Sequence, residues 1–235
     1  MPAPATPEEL AQRIVQRLLH PQLTADAIVA GLTQARASSF ACALVRPCDI
    51  DLAVRTLQGS GVRPGAVCGF PHGTQNTATR LYEARDLLRR GAREIDLVLG
   101  APRMLSREFQ HVQTELLQIA EDCHKTGALF TVTLETGYLT PELQIIALRC
   151  AESAEADFVA TGTGFASTSP SPDDLPRMRK YLPEETGVTA SEIGTLDDAL
   201  AAFEAGATRI GTSTPQAVLD PFKQRFAASA PSQGS

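Results

Sequence analysis

The feature that most restricts how this chain can fold is a junction that occurs four times. A helical stretch closes on a small residue and passes directly into a short apolar run. The pairs are Gly91 before Glu94–Leu99, Gly127 before Leu129–Leu134, Glu155-Ala156 before Asp157–Ala160, and Gly206 before Thr208–Gly211. Helix, turn and buried strand in that order, repeated, is the pattern of βα units with parallel strands. In the first of them, Arg80–Arg90 sets Leu81, Ala84, Leu87 and Leu88 on one helical stripe with charges opposite, and Gly91 supplies a left-handed stop. Further strands are expected at Phe40–Val45, Ala66–Phe70 and Gly187–Ser191, with a short one near Leu18-Leu19. About eight such units in about 220 residues suit a closed (β/α)8 barrel better than an open doubly wound sheet, which stays as the alternative.

One domain is expected over residues 7–227, because no linker-like stretch interrupts the pattern. Residues 1–6 are mainly Pro, Ala and Thr and residues 228–235 are small and polar, and frayed ends are expected at both. The net charge of −6 speaks against a nucleic-acid or anionic-membrane partner. No run approaches the roughly 18 apolar residues of a spanning helix. Five cysteines without C-x-x-C spacing read as free thiols of a cytoplasmic protein.

In a parallel barrel, chemistry sits at the carboxyl ends of the strands. Asp96 interrupts an apolar strand there, and a carboxylate in that setting needs a partner or a task. Glu135 follows the next strand as a site residue or a loop brace; His72, in a Pro-His-Gly turn, reads as structural. Gly211, Thr212 and Ser213 end a strand just before Thr214-Pro215, where free amides would seat an anion. Thr161, Thr163 and Gly164 could add donors to the same ligand.

Five segments carry a resemblance across roughly residues 8–226: Val67–Gly73, Glu94–Val98, Thr131–Thr140, Ala156–Phe165, and Thr195–Ala199 continuing to Glu204–Ser213. Together they resemble the deoxyribose-phosphate aldolase family, class I lyases on a (β/α)8 barrel. The resemblance implies cleavage of 2-deoxyribose 5-phosphate through an imine on a strand-6 lysine. It places that lysine at Ala160, since the family's Asp-Phe-Val-Lys-Thr-Ser-Thr-Gly reads Asp157-Phe-Val-Ala-Thr-Gly-Thr-Gly164 here. A methyl group cannot attack a carbonyl. The family's second lysine falls on Thr189 and a further one on Thr131, while Asp96, its proton-handling acid, is kept. The early Asp-His-Thr-Leu-Leu-Lys-Pro motif reads Val15-Gln-Arg-Leu-Leu-His-Pro21, and an Asn-Pro reads Arg46-Pro47. The family's Gly-Gly phosphate seat after strand 7 is one residue shorter and carries Glu192, whose charge opposes a phosphate. Residues 211–214 match the other half of that seat.

The three lysines, Lys125, Lys180 and Lys223, all fall in helical or helix-terminal segments away from the strand ends. The expected function is therefore a non-catalytic homologue: a binding, regulatory or assembly subunit, homo- or hetero-oligomeric. Its partner would be an active aldolase paralogue or another metabolic enzyme, and its ligand neutral or cationic. One alternative is new chemistry by Asp96, Glu135 and Glu192 with His20 or His72, as acid–base groups or around a divalent metal. The other is residual aldolase activity. No cofactor is expected, and no spacing matches a metal-ligand motif.

Overall fold

The strands of the computed structural model, which describes residues 3–229, form one closed ring in chain order, every neighbouring pair parallel. In sequence the elements are α1 (Pro7–Ala11), β1 (Ile14–Leu18), α2 (Ala25–Ser38), β2 (Cys42–Val45), α3 (Ile50–Leu57) and β3 (Arg63–Cys68). They continue as α4 (Thr77–Arg89), β4 (Glu94–Val98), α5 (Ala101–Leu105), α6 (Phe109–Lys125), β5 (Leu129–Thr133) and α7 (Pro141–Ser153). The last are β6 (Phe158–Ala160), α8 (Asp174–Tyr181), β7 (Gly187–Ala190), α9 (Leu196–Glu204), β8 (Arg209–Thr212) and α10 (Pro215–Ser229). The barrel closes where Val15 of β1 lies in register with Gly211 of β8. The expected (β/α)8 architecture is thus the one observed.

Local chemistry explains the punctuation. Side chains of Thr24, Asn76, Thr140 and Thr195 accept the amide three residues on and start α2, α4, α7 and α9. Gly91, Gly127 and Gly206 take positive φ at three of the four junctions, as a left-handed helix stop requires. At the fourth it is Glu155, at φ 53°, that makes the turn.

Strand alternation divides the side chains into two populations. Ile14, Ala43, Ala66, Ile95, Phe130, Val159, Val188 and Ile210 point outward into the main core beneath the helices. The inward set is apolar on one side of the ring, where Val15, Leu19, Cys42, Leu44 and Val67 form a second cluster. On the other side it is polar: Glu94, Asp96, Thr131, Thr189 and Arg209.

Three expectations shift. The first strand is Ile14–Leu18, so it begins well before the expected Leu18-Leu19. Arg80, read as part of the charged face of its helix, is buried, and Leu81 is only half-buried. Arg80 donates to Glu115 at 2.5 Å and to the carbonyl of Val98, which ties α4 to α6 and to the end of β4. Thr6, in the stretch expected to fray, is the N-cap of α1, and α10 runs to Ser229. Met1, Pro2 and residues 230–235 of the expected frayed ends lie outside the described residues. Among the described residues no helix is long and apolar enough to cross a membrane.

Candidate ligand site at the carboxyl face

The polar half of the barrel interior is built from the inward residues of β4 to β8. Glu94 and Asp96 come from β4, Thr131 and Thr133 from β5, and Ala160 from β6, whose Cα is in register with those of Thr133 and Thr189. Arg209 of β8 reaches across to Glu94 with two bonds, of 2.8 and 3.1 Å, and its guanidinium lies 3.2 Å from the ring centroid of Phe158. Thr131 donates to Glu94 at 3.1 Å. Burial pushes the Glu94 carboxyl up, but Arg209 and then Arg63 pull it below its usual value. Glu94 is therefore a structural anion at the base of the interior.

Asp96 sits above that pair. It accepts from Thr133 Oγ1 at 2.5 Å and has no lysine beside it. Burial raises its carboxyl above the ordinary aspartate value, with the Arg17 guanidinium and the Thr133 hydroxyl pulling the other way. Ala160 is 3% exposed, and the Thr189 hydroxyl is buried with no hydrogen-bond partner among the described residues. The space enclosed by Arg17, Asp96, Thr131, Ala160 and Thr189 is only about 10 Å³, too little for more than one water.

Arg17 explains why the interior is closed. From β1 it reaches to the loop after β6, donating to the carbonyls of Gly162 (3.1 Å) and Thr163 (2.8 Å) and to Glu192 (3.3 Å). A second contact spans the mouth: Phe165 meets Phe70 edge to face, ring centroids 5.0 Å apart. Glu135 braces the loop after β6 and also lines the cavity beside it. Its carboxylate accepts both the amide and the hydroxyl of Thr163, holding the loop after β6 over the barrel. Its Oε1 lies where a Cβ on Gly162 would be, 2.6 Å from that ideal position, so a side chain at 162 would displace it.

Beside the closed interior lies an open cavity of about 600 Å³. It runs between the loop after β6 and α9, with Thr161, Gly164, Ser191 and Glu192 on its polar side and Leu175, Ala201 and Ala205 among its apolar floor. Glu192 holds a left-handed backbone, φ 63°, that glycine would adopt without cost. Its carboxylate packs flat on Gly164, at whose ideal Cβ position it would leave only 2.1–2.4 Å.

The sequence-selected residues therefore separate into four groups. Asp96, Thr131, Ala160 and Thr189 line the filled interior. Glu135, Thr161, Gly164 and Glu192 line the cavity. Thr163 is buried beneath it, bonded to Glu135. Gly211 borders the filled interior as well, whereas Thr212 and Ser213 line neither space; the Thr212 hydroxyl already accepts the Thr214 amide at 3.0 Å, and Ser213 is exposed. The acidic cluster considered as a metal site does not assemble: among the described residues no group of three or more His, Cys, Asp or Glu is placed to hold an ion. His20 accepts the Gln22 amide at 3.4 Å in a local turn, and His72 is exposed. Arg46 is a tie for the turn after β1, donating to the carbonyls of His20, Pro21 and Leu23.

Sequence reasoning missed Arg17, Glu94 and Arg209 as interior residues. Glu94 and Arg209 share the inward phase of Asp96 and Gly211, two residues away in each strand, and that spacing was the available signal. Arg17 was hidden because the first strand was expected too late.

A closed parallel barrel with its cavity and its buried Asp96 carboxylate toward the strand carboxyl ends places the chain among the (β/α)8 barrels that build their sites on that face. No family model matches the chain. The deoxyribose-phosphate aldolase of Bacteroides thetaiotaomicron is 36% identical over 218 residues, 92% of each chain. That of Caldanaerobacter subterraneus subsp. tengcongensis is 36% identical over 218 residues, 92% of this chain and 94% of its own. A tetrameric deoxyribose phosphate aldolase structure from Aeropyrum pernix superposes with a TM-score of 0.86 at 31% identity, covering 94% of this chain and 93% of that one. The chain belongs to the deoxyribose-phosphate aldolase family.

Proposed function

We propose that this member is a non-catalytic barrel that binds a small molecule without a covalent bond, in the cavity beside the strand ends. The observation that carries the reading is the state of the interior around Ala160. Among the described residues it holds no amine, and it leaves about 10 Å³ of free space. Covalent capture of an aldehyde needs an amine within about 3–3.5 Å of the carbonyl carbon.

The three lysines lie elsewhere. Lys125 is exposed at the end of α6 and pairs with Glu121 at 2.7 Å; Lys180 lies over the Tyr181 ring; Lys223 lines a groove with Pro7 and Glu8 of α1. None borders the interior or the 600 Å³ cavity. The cavity itself is the size of ordinary metabolite pockets. Assembly into more than one copy fits this reading, supported by the tetrameric relative, and a protein partner remains its natural extension.

Acetaldehyde release from 2-deoxyribose 5-phosphate tests the proposal. Purified protein should release none above the buffer rate, and substrate-dependent release that co-purifies with the chain would overturn it.

A further inference from the structure

We infer that the 600 Å³ cavity is selective for an organic cation, a primary amine on a short apolar body, with Glu192 as the residue that receives the ammonium. The inference rests on the reading of the cavity as a ligand site and names the class of ligand it takes.

The walls are what select. Among the described residues no lysine, arginine or histidine lines the cavity, and the one cation near it, Arg17, lies behind Glu192 on the barrel side. Three carboxylates do line it, and their commitments differ. Glu135 is spent on Thr163, and Asp198 accepts the Thr195 hydroxyl at 2.7 Å in the first turn of α9. Glu192 is engaged through Oε1 alone, by Arg17 at 3.3 Å from the barrel side, while its other oxygen, Oε2, accepts no hydrogen bond among the described residues. The Glu192 side chain is half-exposed, so a cation reaches it without unfolding any element.

Two features fix where that carboxylate points. Gly164 lets it lie flat against the backbone, and Arg17, nearly buried, anchors its far oxygen. An ammonium at Oε2 would have the Ser191 hydroxyl nearby on the same wall as a second acceptor. The floor of Leu175, Ala201 and Ala205 then takes the apolar remainder of the ligand. A hydrogen bond to a carboxylate is stronger from an ammonium than from a hydroxyl of the same shape, which favours the amine.

The test is calorimetric titration of the full chain with hexylamine, hexan-1-ol and hexanoate, in wild type, Glu192→Gln and Ala201→Leu. Hexylamine should bind at least about ten-fold tighter than hexan-1-ol, and hexanoate weakest of the three. Glu192→Gln should bring the amine down to the affinity of the alcohol and leave the alcohol unchanged. Ala201→Leu, which narrows the floor and leaves the charge alone, should weaken amine and alcohol alike. If hexanol or hexanoate binds as well as the amine, or E192Q leaves amine affinity intact, the choice of ligand class is overturned and the cavity reading stands. If none of the three binds, both fall, while the absence of covalent chemistry is judged separately by acetaldehyde release.

Discussion

Restoring a lysine at position 160 is the most informative single perturbation, because the structure predicts that it fails. Ala160 ends β6 inside a space of about 10 Å³. A lysine there adds three methylenes and an ammonium, with Arg17 and Arg209 bordering the same space; of the two acids there, Glu94 is already paired with Arg209, which leaves Asp96 as the counter-ion. Forcing extra methylenes into a filled core costs about 1–3 kcal/mol. The two guanidinium groups add repulsion that the ion pair with Asp96 offsets in part. For a chain of this length each kcal/mol moves Tm by roughly 2–4 °C, so the melting point of Ala160→Lys should fall by about 2–12 °C. Urea and thermal unfolding followed by circular dichroism give the magnitude, and acetaldehyde release gives the activity. The expected result is a less stable protein that still leaves deoxyribose 5-phosphate uncut. A variant as stable as wild type that cleaves the sugar would show that the interior is not closed as described.

Other consequences follow from the same contacts. Glu115→Ala leaves the Arg80 guanidinium buried beside Val98 without its carboxylate, and should cost about 3–5 kcal/mol by urea unfolding, whereas exchanging both partners for Met and Leu should recover most of it. Asp96 keeps its proton more tightly folded than unfolded, so its contribution to stability is present at acid pH and falls as pH rises from the ordinary value of 3.8 through its raised folded value. Asp96→Asn should therefore gain on wild type as pH is taken from about 4 to about 7, and a difference that shrinks over that range would contradict the assignment. Gly164→Ala must push Glu192 off the backbone at a residue with φ 79°; it should destabilise by more than about 1 kcal/mol and lower hexylamine affinity as E192Q does.

The barrel was readable because its signals are local: a left-handed stop at Gly91, Gly127 or Gly206 followed by an apolar run fixes a helix–strand junction without any long-range knowledge. Ala160 and Thr189 could be placed beside each other because parallel strands in chain order put equivalent positions in register. What the sequence could not reveal depends on contacts across the ring. Arg17 meets residues 145 to 175 positions away, and nothing near it in the chain announces that its guanidinium closes the mouth. Arg80 sits among the arginines of a charged helix, and only acceptors far along the chain, Glu115 on α6 and the carbonyl of Val98, make its burial possible. Glu135 stood equally for site or brace until the loop after β6 placed Thr163 against its carboxylate.

The claim at the centre is that no amine of this barrel captures an aldehyde. Incubating the purified chain with 2-deoxyribose 5-phosphate, reducing with borohydride and reading the intact mass tests it directly, since reduction makes any imine permanent. The predicted spectrum shows the unmodified chain alone. A reduced sugar or two-carbon adduct on Lys125, Lys180 or Lys223, scaling with substrate and lost on changing that lysine, would contradict it.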